Sequence, residues 1–252
     1  MTVGNFMQSK KYLFSMLSLL MVLLLAVGSG SVRAENPELI ETAKFSDASA
    51  VQLLLQNGAD PDSRQTDGAT ALHWATYRED VDMVNSLIAA GANANALNRL
   101  NASPLYLAAK AGNAALIEIL LDAGADANQE LTLGETAIMT AARAGSADGV
   151  SHLIAAGADV NARETSREQT ALMWAAAQGH LEVVSALVNA DADLEARSKV
   201  RPMLMFADAT NGGAFDQGIN ELLGGFSPLL FASREGHTEV ARILLNAGAE
   251  ID

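Results

Sequence analysis

Two short markers recur along the chain at one pace. The first runs Gly58-Ala59-Asp60, Gly91-Ala92-Asn93, Gly124-Ala125-Asp126, Gly157-Ala158-Asp159, Asp191-Ala192-Asp193 and Gly248-Ala249-Glu250. Its first three steps are equal, the fourth is longer by a single position and the last, from Asp191 to Gly248, is much longer. The second runs Thr70-Ala71-Leu72-His73-Trp74-Ala75, Ser103-Pro104-Leu105, Thr136-Ala137-Ile138, Thr170-Ala171-Leu172 and Ser227-Pro228-Leu229. Two markers locked at one short period confine the chain to a stack of like units. None is large enough to bury its apolar face alone, so neighbours must supply a continuous core.

The marker residues also dictate what a unit is. Thr or Ser ahead of an apolar run is an N-cap, its hydroxyl accepting from an unpaired helix N–H. Pro104 and Pro228 fall at the first helical position, where a missing N–H costs nothing. Leu72, Leu105, Ile138, Leu172 and Leu229 share one core position. A short first helix then ends near Gly112, Gly145, Gly179 or Gly236. A second helix carries apolar residues at helical spacing, as in Leu181, Val183, Val184 and Leu187. It stops at the glycine of Gly-Ala-Asp, a left-handed C-cap. Asp191 stands once in that glycine's place, at a cost of about 1 kcal/mol. Half of the residues are hydrophobic but only 5% aromatic. That composition, rich in alanine and leucine, suits closely packed helices.

The pattern resembles the ankyrin repeat, whose signature T-P-L-H-x-A returns with a period of about 33 residues. The resemblance runs from about Glu35 to Asp252. It implies an all-α ankyrin-repeat solenoid of helix-turn-helix units with β-turn fingers. Five units carry the second marker. A degenerate unit from about Glu35 to Arg64, opening Asn36-Pro37-Glu38, precedes them as a polar cap. The chain stops directly after a core helix with no polar capping unit. Self-capping, a docked partner and truncation of a longer array all fit that ending, truncation being the leading expectation.

The segment 1–34 has another character. It holds Lys10, Lys11 and Arg33 but no acid, and Tyr12 to Val27 is almost wholly apolar. A Gly/Ser stretch and Val32-Arg33-Ala34 follow. This is the order of a secretory signal peptide, with cleavage expected after Ala34. The apolar run is shorter than the roughly 20 residues of a spanning helix; retention as an N-terminal anchor is the alternative. Export of a chain without cysteine points to a bacterial envelope, periplasmic or secreted. Without the three basic residues of the leader, 13 basic side chains face 30 acids, a formal net charge of −17. Such a balance argues against nucleic acid and anionic membrane as partners and favours a soluble monomer.

No catalytic, cofactor or metal constellation emerges. The absence of cysteine excludes disulfides, thiolate metal sites and cysteine nucleophiles. There is no G-x-S-x-G, Walker loop, G-x-G-x-x-G or H-E-x-x-H. His73 reads as a hydrogen-bond bridge between turns. His180 and His237 recur in Gly-His-x-Glu, and His152 is alone in a second helix. Trp74 and Trp174 share one first-helix position and read as packing between units.

Ankyrin partners usually meet the finger tips and the exposed side of the first helix. By that resemblance the candidate contacts are the finger residues Arg64, Arg99, Arg163, Arg167 and Phe226. On the first helices they are Tyr77, Arg78, Lys110, Arg143, Gln178 and Arg234. Gln169, Arg197 and Lys44 occupy further positions of the same two kinds. These surfaces hold ten of the 13 basic residues and only four of the 30 acids, Asp67, Glu130, Glu135 and Glu235. A basic stripe on an acidic scaffold would steer an acidic protein partner. The plainer account is family habit after the Ala-Ala of the first helix.

The long step between Asp191 and Gly248 is one period plus an insertion. The extra stretch, about 199–223, joins the fifth and sixth units and includes Lys199, Arg201, Met203, Met205 and Phe206. Asp216 to Leu223 is expected to form a helical turn or two. Insertions in repeat proteins project on one face, often the binding face, although a tolerated loop costs little. The reading as a whole is an exported, non-enzymatic interaction scaffold. A secreted effector acting on host proteins and the regulatory part of a longer enzyme are the alternatives.

Overall fold

The markers sort the chain into helix pairs. In the computed structural model of the protein, residues 37–205 and 219–251 are described. The first pair is α1 (Pro37–Lys44) and α2 (Ala48–Gln56), the second α3 (Ala71–Tyr77) and α4 (Val81–Ala89). Next come α5 (Pro104–Ala111) with α6 (Ala114–Asp122), and α7 (Ala137–Ala144) with α8 (Ala147–Ala155). The fifth pair is α9 (Ala171–Gln178) and α10 (Leu181–Asn189). Strands β1 (Arg201–Met205) and β2 (Ile219–Leu223) precede the last pair, α11 (Pro228–Glu235) and α12 (Thr238–Asn246). The expected leader at 1–34, its cleavage point, and Phe206 lie outside the described residues.

The first helices pack in one row, α1 on α3, α3 on α5, and so on to α11, with the second helices behind them. Leu72, Leu105, Ile138 and Leu172 are fully buried between the rows. The expected N-caps form at Ser103, Thr170 and Ser227, whose hydroxyls accept from Tyr106, Met173 and Leu230 N–H. Thr70 opens α3 in a reciprocal capping box with His73, whereas Thr136 departs from that expectation. The Thr70 hydroxyl meets the His73 ring at 2.9 Å. The Thr136 hydroxyl is buried and without a hydrogen-bond partner among the described residues. Gly112, Gly145, Gly179 and Gly236 all end first helices with positive φ. Asp191 takes φ +59°, where Gly58, Gly91, Gly124 and Gly157 take +84° to +88° in other units.

Units are joined by side chains that reach one repeat onward. Asp62, Asn95, Asn128 and Asn161 accept, through Oδ1, from the backbone N–H of Asn93, Asp126, Asp159 and Asp193 at 2.7–2.8 Å. Asn95 and Asn128 also donate through Nδ2 to Gly124 and Gly157 carbonyls. Glu195 carries this ladder over the insertion, accepting from Glu250 N–H at 2.8 Å. His73 Nε2 donates to Ala102 O at 3.0 Å while Nδ1 accepts from Thr70 N–H. That is the expected bridge between turns, and it fixes the neutral tautomer. His180 and His237 reach back in the same manner, to Arg143 O and Ala177 O, each at 3.1 Å.

The insertion leaves the stack intact, since α9 packs on α11 and α10 on α12. Its described ends differ from expectation. Ile219–Leu223 is a strand, not a helical turn, and pairs antiparallel with β1, Arg201 opposite Leu223 and Met205 opposite Ile219. The cause is anchorage of both ends at one finger. Lys199 N–H donates to Arg167 O (2.7 Å), Ser198 N–H to Phe226 O (3.1 Å) and Gly225 N–H to Ser198 O (2.9 Å). Two arms leaving side by side satisfy each other's backbone groups, which one helical arm would leave unpaired. Gly224 sits at the crossing: a Cβ there would fall 2.1 Å from Lys199 O. The described ends of the insertion therefore form a two-stranded stem on the sixth finger.

Candidate functional site

The fifth finger depends on one carboxylate. Glu164 is buried, and its Oε1 accepts from Arg167 N–H (2.7 Å) and Gln169 N–H (3.2 Å). Its Oε2 accepts from Ser166 N–H (2.6 Å) and from the Ser166 hydroxyl. Burial works to raise its pKa, but the hydrogen bonds from Ser166, Gln169 and Arg167 outweigh it and hold the carboxyl below its ordinary range. The loop so tied presents Arg167 and Gln169 to the row of first helices.

Three adjoining depressions open there, of about 290, 430 and 400 Å³. Arg167 and Gln169 line all three. The first lies towards Leu133 and Glu135 of the fourth unit, the second between α9 and α11, the third at the stem of the hairpin. Trp174 forms the floor of the first two, its Nε1 donating to Gln169 Oε1 at 2.9 Å. The Arg143 guanidinium lies over the Trp174 ring, 4.6 Å from its centroid, and meets Glu135 at 3.2 Å. Arg143 also touches Tyr106. Burial first, then the Glu135 charge, raises the pKa of that phenol against the opposing pull of Arg143. In the sixth unit the rings of Phe226 and Phe231 meet at a tilt of 50°, 5.5 Å between centroids. Arg234 lies 5.1 and 5.2 Å from their centroids, paired with Glu235. Lys199 and Arg201 of the stem close the far wall, Lys199 paired with Glu168 at 3.3 Å. The Arg167 side chain makes no hydrogen bond or ion pair among the described residues.

Of the candidate contacts, the structure brings Arg143, Arg167, Gln178, Phe226 and Arg234 together along these depressions. Arg64, Arg78 and Arg163 have a structural task. Their guanidiniums donate to Leu97 O, Lys44 O and Arg197 O, each at 3.0 Å, fastening one unit to the next. They remain exposed beyond those bonds. Tyr77, Arg99 and Lys110 are exposed in the second and third units and line none of the three depressions. Tyr77 stands edge-on to Trp74 at 5.9 Å.

Sequence reasoning passed over Trp174 and Phe231 as site residues. The signal was in the period: both stand four places after an N-cap, and Arg143 stands seven places after one. The first two units make the same arrangement, with Lys44 5.3 Å from the Trp74 centroid and Trp74 Nε1 donating to Gln65 at 3.3 Å. A cation of one unit thus rests on the aromatic ring of the next, twice.

The second-helix row offers a different surface. A depression there, about 650 Å³ between α8 and α10, is shallow and lined by small side chains such as Ala155, Ser185 and Ala186. Glu182 is the one charged group that lines it. Among the described residues no three His, Asp or Glu side chains are grouped to hold a metal ion, and no helix is long and apolar enough to cross a membrane.

Stacked helix pairs, fingers and an inner face of cations on rings define a repeat-built binding module. The family model of ankyrin repeats in three copies matches residues 39–131 and 116–198, and that of a single ankyrin repeat matches 224–252. The chain belongs to the ankyrin-repeat family, and the gap between the matches is the insertion. Ankyrin repeats generally mediate protein–protein interaction, and domains built from them are typically non-enzymatic. No individual curated protein matches the sequence.

Proposed function

We propose that this protein is an exported, monomeric interaction module that holds an acidic protein partner on its finger and first-helix face. One observation carries the reading. The side chains of Arg99, Lys110 and Arg167 project from that face with no hydrogen bond or ion pair among the described residues, on a chain where acids outnumber bases 30 to 16. Unpaired cations on an acidic molecule are an uncancelled local field, and such a field speeds and selects encounters with carboxylate-rich surfaces. Exposed Leu100 and Leu133 at two finger tips supply apolar contact beside them. The leader-like composition of segment 1–34 supports action outside the cytoplasm.

The test is crosslinking in cells of the full chain beside a variant carrying Arg99→Glu, Arg143→Glu and Arg167→Glu. The expected result is a captured partner that the variant loses and that salt weakens. Equal capture by both proteins, with equal salt dependence, would overturn the reading.

A further inference from the structure

At the three depressions and the sixth finger, cations and aromatic rings gather more densely than at the Lys44–Trp74 pair of the first two units. Arg143 lies on Trp174, Arg167 stands unpaired, and Arg234 lies against Phe226 and Phe231. The hairpin stem then adds Lys199 and Arg201. Resting on that proposed function, we infer that this line is a subsite for an extended peptide segment of the partner, in which Asp or Glu alternates with Leu, Ile or an aromatic residue.

The chemistry assigns each part. Arg167 takes a carboxylate two-pronged, since its fork of donors has no competing partner among the described residues and matches that geometry. Arg143 and Arg234 already share Glu135 and Glu235, so they orient the segment more than they hold it. Their guanidiniums are held against the rings by cation–π attraction. The depressions, about 290 to 430 Å³ each, admit side chains but not a folded element. The hairpin stem makes the site particular to this chain. Lys199 is tied to Arg167 through the backbone, so the stem holds the fifth finger in place and prolongs the charged line.

The test uses the full exported chain against a displayed library of random peptides, followed by affinity measurements on the selected sequences. Arg167→Glu is the main variant. Because the side chain bonds to nothing described, helical circular dichroism should be unchanged. A second variant replaces 200–223 by a short Gly-Ser link, and a third carries Arg99→Glu with Lys110→Glu. The expected result is peptides that alternate acidic and apolar residues. Arg167→Glu should lower their affinity at least roughly tenfold, and the shortened finger should lower it also. The Arg99 and Lys110 pair, which belongs to the wider face, should lower it less than Arg167→Glu does. Acidic peptides lost only by that pair would overturn the subsite while leaving the acidic-partner reading standing. Peptides without acidic residues would overturn both. Equal binding of heparin or of anionic phospholipid vesicles, likewise abolished by Arg167→Glu, would show a general polyanion site and overturn the peptide assignment.

Discussion

The imidazole of His180 occupies the space beside Gly145 so closely that a Cβ on the glycine would fall 2.8 Å from the ring. Gly145 also has φ +80°. The glycine therefore serves two ends, a left-handed helix stop and room for the next unit's bridge to Arg143 O. Gly145→Ala should cost more than the roughly 1–2 kcal/mol of a left-handed alanine. Gly124→Ala, with φ +84° and nothing within 4 Å of its Cβ, should cost only that amount. Urea unfolding of the two variants gives the comparison. Adding His180→Ala to Gly145→Ala should recover part of the difference.

Glu164 makes the fifth finger sensitive to acid. Its folded pKa is lowered from the ordinary 4.5, so the unfolded chain binds the proton first. The stabilisation is complete above pH 4.5 and drains away as pH falls through the lowered value. Glu164→Gln should destabilise by about 1–3 kcal/mol at neutral pH. It should also flatten the loss of stability below pH 4.5 seen in the parent.

His73 adds a second acid-sensitive contact. Burial lowers its pKa below 6.5, against the opposing pull of the bond to Ala102. A neutral buried histidine favours the folded state least where the unfolded chain is already protonated. Its contribution is therefore whole above pH 6.5 and shrinks as pH falls from there towards the lowered value. Thermal melts at stepped pH should show a fall in Tm beginning near 6.5, and His73→Gln should remove that early part.

Asp191 occupies a glycine's conformation, φ +59°, at the one break in the Gly-Ala-Asp series. Asp191→Gly should raise stability by about 0.5–1 kcal/mol, strain relief offset in part by glycine's freedom when unfolded. The ladder bond from Asn161 to its carbonyl is unaffected. A rise of a few degrees in Tm by calorimetry is the expected reading, and no rise would show that the aspartate is unstrained there.

The two tryptophans allow the subsite to be watched. Trp174 lies under Arg143 in the groove, while Trp74 lies under Lys44 in the second unit. In a Trp74→Phe protein, an acidic peptide should change the emission of Trp174. In a Trp174→Phe protein, the same peptide should leave Trp74 emission unchanged.

How far the sequence foretold all this varies by residue. Repeat register, left-handed glycines and most caps are local matters, decided within a turn of backbone, and Gly112, Gly179 and Ser103 behave as local rules require. The inner-face arginines are another matter. Arg64, Arg78 and Arg163 bond to carbonyls a full repeat away along the chain. Residue type announces a cation but not which atom it will meet. Glu164 was hidden because its bonds are to backbone N–H groups, which leave no trace in composition. Asn95, Asn128 and Asn161 did recur at the repeat spacing, so their ladder was open to view and went unread. The hairpin arms were obscured by an apolar pattern, as in Ile219-Asn220-Glu221-Leu222-Leu223, that suits a helix as well as a strand.

The ladder step from Glu195 to Glu250 spans the whole insertion as if it were one ordinary repeat. With α9 on α11 and His237 on Ala177, the scaffold closes behind the sixth finger like a seam behind a pocket. The register of the stack on either side therefore does not depend on how long the stretch between them is.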